Sequence, residues 1–219
     1  MFRLPIRFVS DSMKSIQLLS AAFALSLACL TSCVTEGDPM HPTRAAAGPW
    51  LEPSPMLAQE IEQQAERLPW THGYERIEMI HWFASVGEPA YPTLLAMVSD
   101  PRMDVAGSAL AALGATGDSR LVEPLREIPW PTESEIDLAL ERARTLLRLG
   151  DWSMVPHLID GMEDERVMIR ALSAQALYEA THQRFDYDPS ADPAARQEAI
   201  DEWRAWWTKR QGDPLVKQK

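Results

Sequence analysis

A proline recurs every 32 residues through the middle of this 219-residue chain, at Pro92, Pro124 and Pro156, and a leucine follows each within two positions, at Leu94, Leu125 and Leu158. The match runs beyond the prolines. At an offset of 64, Asp100 meets Asp164, Val105 meets Ile169, Ala112 meets Ala176 and Leu113 meets Leu177. A repeated unit of this length that is helical is a pair of helices. Such a pair cannot bury its apolar face alone, so neighbouring units must stack into a solenoid.

The local patterning is helical from Pro55 onward. Leu57, Ile61, Ala65 and Leu68 define one amphipathic stripe, and Ile77, Ile80, Phe83 and Ala84 a second. A third stripe, Ile136, Leu140, Ala143 and Leu147, is opened by Thr132 with Glu135 three residues on, the spacing of a capping box, and closed by Gly150. Asp192-Pro193 has the form of an N-cap with proline at the first helical position, and Gly212 ends that helix. No alternating strand pattern interrupts these elements. The expectation is an all-α fold: a short right-handed α-solenoid over residues 55–211, with 212–219 as a C-terminal tail.

The repeat carries a further signature. A helix with Pro-x-Leu, a turn with Asp, then a helix opening on an aliphatic residue and Arg resembles the HEAT repeat family, and Asp164, Ile169 and Arg170 match that motif. The resemblance is strong over Tyr74 to His182, with the flanking helices as caps. It implies that Asp and Arg side chains hydrogen-bond between neighbouring repeats, and that the second helix of each pair lines a concave face. The first unit has Ala106 in place of the Arg, and the middle unit, with Pro129, Pro131 and Glu133, lacks the Asp, so the implied ladder is incomplete. Phe185-Asp186-Tyr187-Asp188-Pro189, followed by Arg196 and Trp203-Arg204-Ala205-Trp206-Trp207, resembles a C-terminal extension of bacterial HEAT-repeat proteins. Its tryptophans are expected to form a capping helix that seals the last repeat.

The N-terminus reads as an address. Lys14 precedes an apolar run from Ile16 to Leu30, about 15 residues and too short to span a bilayer, which is the layout of a signal peptide over 1–32. Leu30-Thr31-Ser32-Cys33 resembles the lipobox of bacterial lipoproteins, which implies cleavage before Cys33 and lipid attachment (palmitate among the acyl chains) to it. Cys29, after Ser26-Leu27-Ala28, fits that pattern less well, and a start at Met13 would also give a complete signal. Several acyl chains on one residue anchor durably where a single chain does not. Residues 33–54, with Pro39, Pro42, Pro49 and Pro53, read as a tether with a mean reach of about 25 Å. The resemblance thus places the protein outside the cytoplasm, lipid-anchored to the cell membrane or outer membrane of a bacterium.

Charge and composition narrow the function. The formal charge is −11, and it becomes more negative once 1–32 is removed with its Arg3, Arg7 and Lys14 against Asp11. A chain of this sign repels nucleic acid and anionic lipid head groups. Both cysteines fall within the first 33 residues, so thiol chemistry is absent from the repeats. No nucleophile elbow, phosphate-cradling glycine loop or dinucleotide fingerprint occurs. Asp186, Asp188 and Asp192 lack the spacing of a calcium loop and suit N-capping turns, while His72 and His81, nine apart, do not share a helix face as metal ligands would. No metal, cofactor or enzymatic activity is expected. The leading expectation is an interaction or scaffold module of the cell envelope, with an unidentified protein partner and the membrane reached through the lipid. Its candidate docking ridge is Asp137, Glu141, Arg144 and Arg148, which line one flank of a helix. The competing expectation is an envelope enzyme or ligand-binding protein that uses Trp203, Trp206 and Trp207 or the acidic loop.

Overall fold

In the computed structural model the described residues are 50–132 and 134–211. Cys33, the signal segment, most of the tether and the tail from 212 lie outside them. The described residues belong to one compact unit, and every regular element among them is helical. The α-helices are α1 (Pro55–Arg67), α2 (Gly73–Val86), α3 (Tyr91–Met97), α4 (Met103–Thr116), α5 (Val122–Glu127), α6 (Ile136–Arg148), α7 (Val155–Gly161), α8 (Val167–Thr181) and α9 (Pro193–Arg210). No helix among the described residues is long and apolar enough to cross a membrane.

The periodic prolines mark the short helices. Pro92 and Pro156 sit in the first turns of α3 and α7, where a missing N–H is not needed, and Pro124 falls at the third position of α5. A short 3₁₀ turn leads into each: Glu88–Ala90, Ser119–Leu121 and Trp152–Met154. The long helices α2, α4 and α6 are followed by Gly87, Gly117 and Gly150, all at positive φ, and α8 by His182 at φ 59°. At Gly117 (φ 68°, ψ 10°) the left-handed turn stops the helix without a Cβ clash.

The long helices pack side by side in chain order, α2 on α4, α4 on α6 and α6 on α8, while α9 packs on α7. Ion pairs show that they run in the same direction. Arg76 near the start of α2 meets Asp104 at the start of α4 at 2.7 Å. Between α6 and α8, Asp137 pairs with Arg166 at the N-terminal end (2.7 Å) and Arg148 with Glu179 at the C-terminal end (2.9 Å). Between α4 and α6 the approach is closest: Thr145 donates its hydroxyl to the Leu110 carbonyl at 3.0 Å. A Cβ on Gly114 would stand 3.2 Å from Thr145 Oγ1.

The core is one cluster running the length of the array, from Ile61 and Phe83 through Leu110, Leu113, Leu125 and Leu146 to Leu158, Leu177 and Trp203. Two stripe residues expected inside are outside it: Ile77 and Ile136 are about half exposed. The positions that replace them differ in each helix. In α2, Met79 and Phe83 face inward; α6 buries Leu140, Ala143, Leu146 and Leu147 and begins only at Ile136. The Thr132–Glu135 pair therefore precedes the helix. Glu135 accepts from the Thr132 N–H (2.9 Å) and hydroxyl (2.8 Å), so half the expected box forms, as a turn ahead of the helix. The last helix ends at Arg210, before Gly212.

The Asp and Arg of the repeat motif act differently from a carboxylate ladder. Asp164 accepts from the Arg166 N–H and Nε, and Asp100 does the same for Arg102, closing each turn on itself. Arg170 donates instead to the carbonyls of Asp164, Glu165 and Pro189, each at 2.8 Å. Arg76 reaches back to the Leu68 carbonyl (3.4 Å), and Arg142 binds the carbonyls of Leu125, Ile128 and Pro129. An arginine at the fourth position of α2 and α8, and at the seventh of α6, thus fastens the segment before it. Only α4, with Ala106 at the corresponding place, lacks one.

Candidate functional site

The candidate ridge lies where α6 faces α8, and its four residues are held by ion pairs along that seam. Asp137 is tied to Arg166 across the seam, Glu141 to Arg144 within α6 at 2.7 Å, and Arg148 to Glu179 across the seam. The lower half of the seam opens as a cleft of about 290 Å³ lined by Arg144, Arg148, Trp152, Ala176 and Glu179. Leu147 and Ala180 complete its apolar wall. The structure brings Arg144 and Arg148 together at this cleft and leaves Asp137 at the other end of the seam.

The charges here are arranged rather than free. Arg144 is mostly buried, and after its bond to Glu141 its Nε remains buried without an acceptor. Glu179 titrates below the ordinary glutamate range. Burial pushes its pKa up, but hydrogen bonds from Arg148 and Gln175, with the fields of Arg148 and Arg144, outweigh burial and hold the carboxyl ionised. The cleft therefore presents a guanidinium held by Glu141, a second guanidinium shared with Glu179, and an indole beside them. That set can receive an acceptor-rich segment, but it contains no nucleophile with an adjacent base.

The other sequence candidates are placed as follows. Trp203 and Trp207 are buried and Trp206 is half-buried, with Phe185 edge-on to Trp203 at 4.9 Å between ring centres. These rings pack at the end of the array, and Trp203 forms one wall of a cavity of about 440 Å³ with Tyr178, Arg184, Asp186 and Tyr187. Asp192 accepts from the N–H groups of Ala194 and Ala195 and caps α9, and Asp188 closes a turn on Ser190. Asp186 adopts positive φ, as do Phe185 and His182 nearby. His72 and His81 are exposed on α2 and its N-cap, His157 stacks on Trp130 at 5.7 Å, and His182 terminates α8. Among the described residues no three His, Cys, Asp or Glu side chains converge as a metal site would require. Cys33 lies outside the described residues.

Sequence reasoning missed Arg142, the most deeply buried charge among the described residues, at 2% exposure. It has no carboxylate partner. Its guanidinium is met by three carbonyls and by the Trp130 ring, 4.8 Å away. The signal was present in the short α5 followed by Pro129 and Pro131, which strands several carbonyls with no helical N–H to meet them.

No protein-family model matches the chain, and no curated protein matches it.

Proposed function

We propose that this chain is a membrane-tethered interaction module: a short HEAT-type α-solenoid, lipid-anchored through Cys33, that docks a protein partner of the cell envelope on the seam between α6 and α8. The observation that carries the reading is the cleft between α6 and α8, which Arg144 and Arg148 line together with the Trp152 indole. The solenoid reading draws support from links that recur at about one repeat of separation. Arg120–Glu88, Arg166–Asp137 and Arg148–Glu179 join residues 32, 29 and 31 apart. A stack of helix pairs makes such links between neighbours and leaves a continuous face for a partner.

The competing reading, an envelope enzyme or ligand-binding protein, would rest on the cavity of about 440 Å³ that Trp203 and Asp186 line with Tyr178, Arg184 and Tyr187, and not on the remaining residues of either group. Trp207 is buried in packing, and Asp188 and Asp192 bind main-chain N–H groups.

Two experiments test the proposal. Reversal of charge at Arg144 and Arg148 would set new carboxylates against Glu141 and Glu179, so the informative variant is the neutral Arg144→Gln/Arg148→Gln. A photo-crosslinker at Trp152 in native membranes should give one adduct that this variant loses, while its thermal unfolding stays within a few degrees of wild type. An undiminished adduct refutes the docking site. For the anchor, Cys33→Ser should lose lipid labelling and membrane retention, and equal retention of the variant refutes it.

A further inference from the structure

The middle unit is irregular in a way that opens the array. Eight residues (128–135) connect α5 to α6, against five between α3 and α4 (98–102) and five between α7 and α8 (162–166). Arg142 draws this longer connection inward by its carbonyls, with Trp130 lying over the guanidinium. A slot of about 220 Å³ results where α6, α7 and α8 meet. Its walls are Trp130, Ile136, Leu140, His157 and Ile169, and the small side chain of Ala139 leaves the room. Ile136 and Trp130, at its mouth, are 46% and 43% exposed. Val167, beside the Arg166 that pairs with Asp137, is exposed as well.

Size and charge decide the occupant. The slot is below the roughly 300 to 1,000 Å³ of small-molecule pockets, so it suits one large apolar side chain rather than a cofactor. Asp164 lines the slot and Asp137 follows Ile136 at its mouth, two carboxylates against the one Arg166 guanidinium that pairs with both, while Arg142 is buried and committed to carbonyls. We propose that the slot takes the apolar anchor of a basic segment from a partner protein, with a Leu- or Phe-sized side chain inside and Lys or Arg residues beside it on the acidic rim. This site is separate from the Arg144–Arg148 cleft and stands whether or not that cleft binds.

The test is a methyl NMR titration of the full chain, in nonionic detergent, with the peptide acetyl-Lys-Lys-Gly-Phe-Gly-Lys-Lys-amide. Saturable shifts are expected at the methyls of Ile136 and Ile169. Replacing the peptide's Phe by Ser, or its four Lys by Glu, should weaken binding at least about tenfold, the loss of an anchor or of charge complementarity at a docking site. Ala139→Met, which fills the slot, and Ile136→Ser, at its exposed mouth, should each do the same, while Arg144→Gln/Arg148→Gln should bind as wild type does. Equal affinity for the three peptides, or undiminished binding by both slot variants, overturns the proposal. So do shifts at Ile136 and Ile169 that follow protein concentration alone, which would make a second copy of the chain the occupant.

Discussion

Replacing Arg142 tests whether a buried guanidinium can hold a fold through main-chain carbonyls alone. For a buried ion pair, exchanging both partners for apolar groups is often neutral, since the desolvation cost disappears with the charges. Here the partners are the carbonyls of Leu125, Ile128 and Pro129, which no substitution removes. Burial pushes the Arg142 pKa down, yet arginine begins high enough to stay charged at neutral pH. Arg142→Met keeps the stem in place and leaves up to three acceptors unmet at about 1 to 3 kcal/mol each, offset by relief of the guanidinium's own desolvation. A net loss of about 3 kcal/mol follows. Arg142→Ala also forfeits the packed methylenes and reaches about 4 to 5 kcal/mol. For a chain of this size that is a drop in Tm of about 6 to 20 °C, measurable by circular dichroism. Lysine, a point charge that cannot span three carbonyls, should recover less than half. Hydrogen exchange should localise the loss to residues 125–142. A Met or Ala variant that melts within about 2 °C of wild type would refute the claim that these carbonyls depend on Arg142.

Three further outcomes can be measured. Asp100, held by Arg102, should titrate at about 2 by carboxyl NMR. Because its folded pKa lies below the unfolded value, its contribution is complete above about pH 4 and is lost as pH falls toward 2; Arg102→Ala should return the pKa to the ordinary range. His182→Gly should stabilise the protein by about 1 kcal/mol in urea titration, because φ 59° costs a side-chain-bearing residue what it does not cost glycine; a destabilised variant would mean that the His182 ring against Tyr178 outweighs the backbone relief. Thr145→Val, which removes the hydroxyl donated to the Leu110 carbonyl, should cost about 0.5 to 1.5 kcal/mol in the same assay, and an unchanged midpoint would show that the α4–α6 approach does not use this bond.

The helical class was legible in spacing, and so were the ends that rest on one residue's chemistry: Asp192 caps α9, and Gly150 follows α6 at positive φ. What spacing could not give is which side of an apolar stripe wins when two faces compete. In α6, Ile136 lies in the first turn, beyond the reach of the neighbouring layer, so it is left at the surface while Leu146, off the expected stripe, goes inside. Polar residues in the interior were invisible to a pattern that assigns polarity to solvent. Arg142, Thr145 and Ser173 are buried because a carbonyl, a close helix approach or a small residue opposite calls for them, and those needs exist only once the helices are packed. The ridge at Asp137, Glu141, Arg144 and Arg148 was found as a row. The cleft beside two of its members depends on Trp152 and Glu179, which sequence distance hides.

The common direction of α2, α4, α6 and α8 makes the array electrically polar. The dipoles of the long helices add, offset only in part by the shorter α3, α5 and α7 that carry the chain back between them, so one edge holds the positive poles of four long helices and the opposite edge their negative poles. Like poles side by side repel, and the first turns of α2, α4 and α6 answer with Glu75, Asp104 and Asp137, while Arg148 occupies the last turn of α6. Each added helix pair would deepen the same polarity, so lengthening such an array demands acids at one rim in proportion to its length. Part of this chain's negative charge is thus a requirement of building with parallel helices.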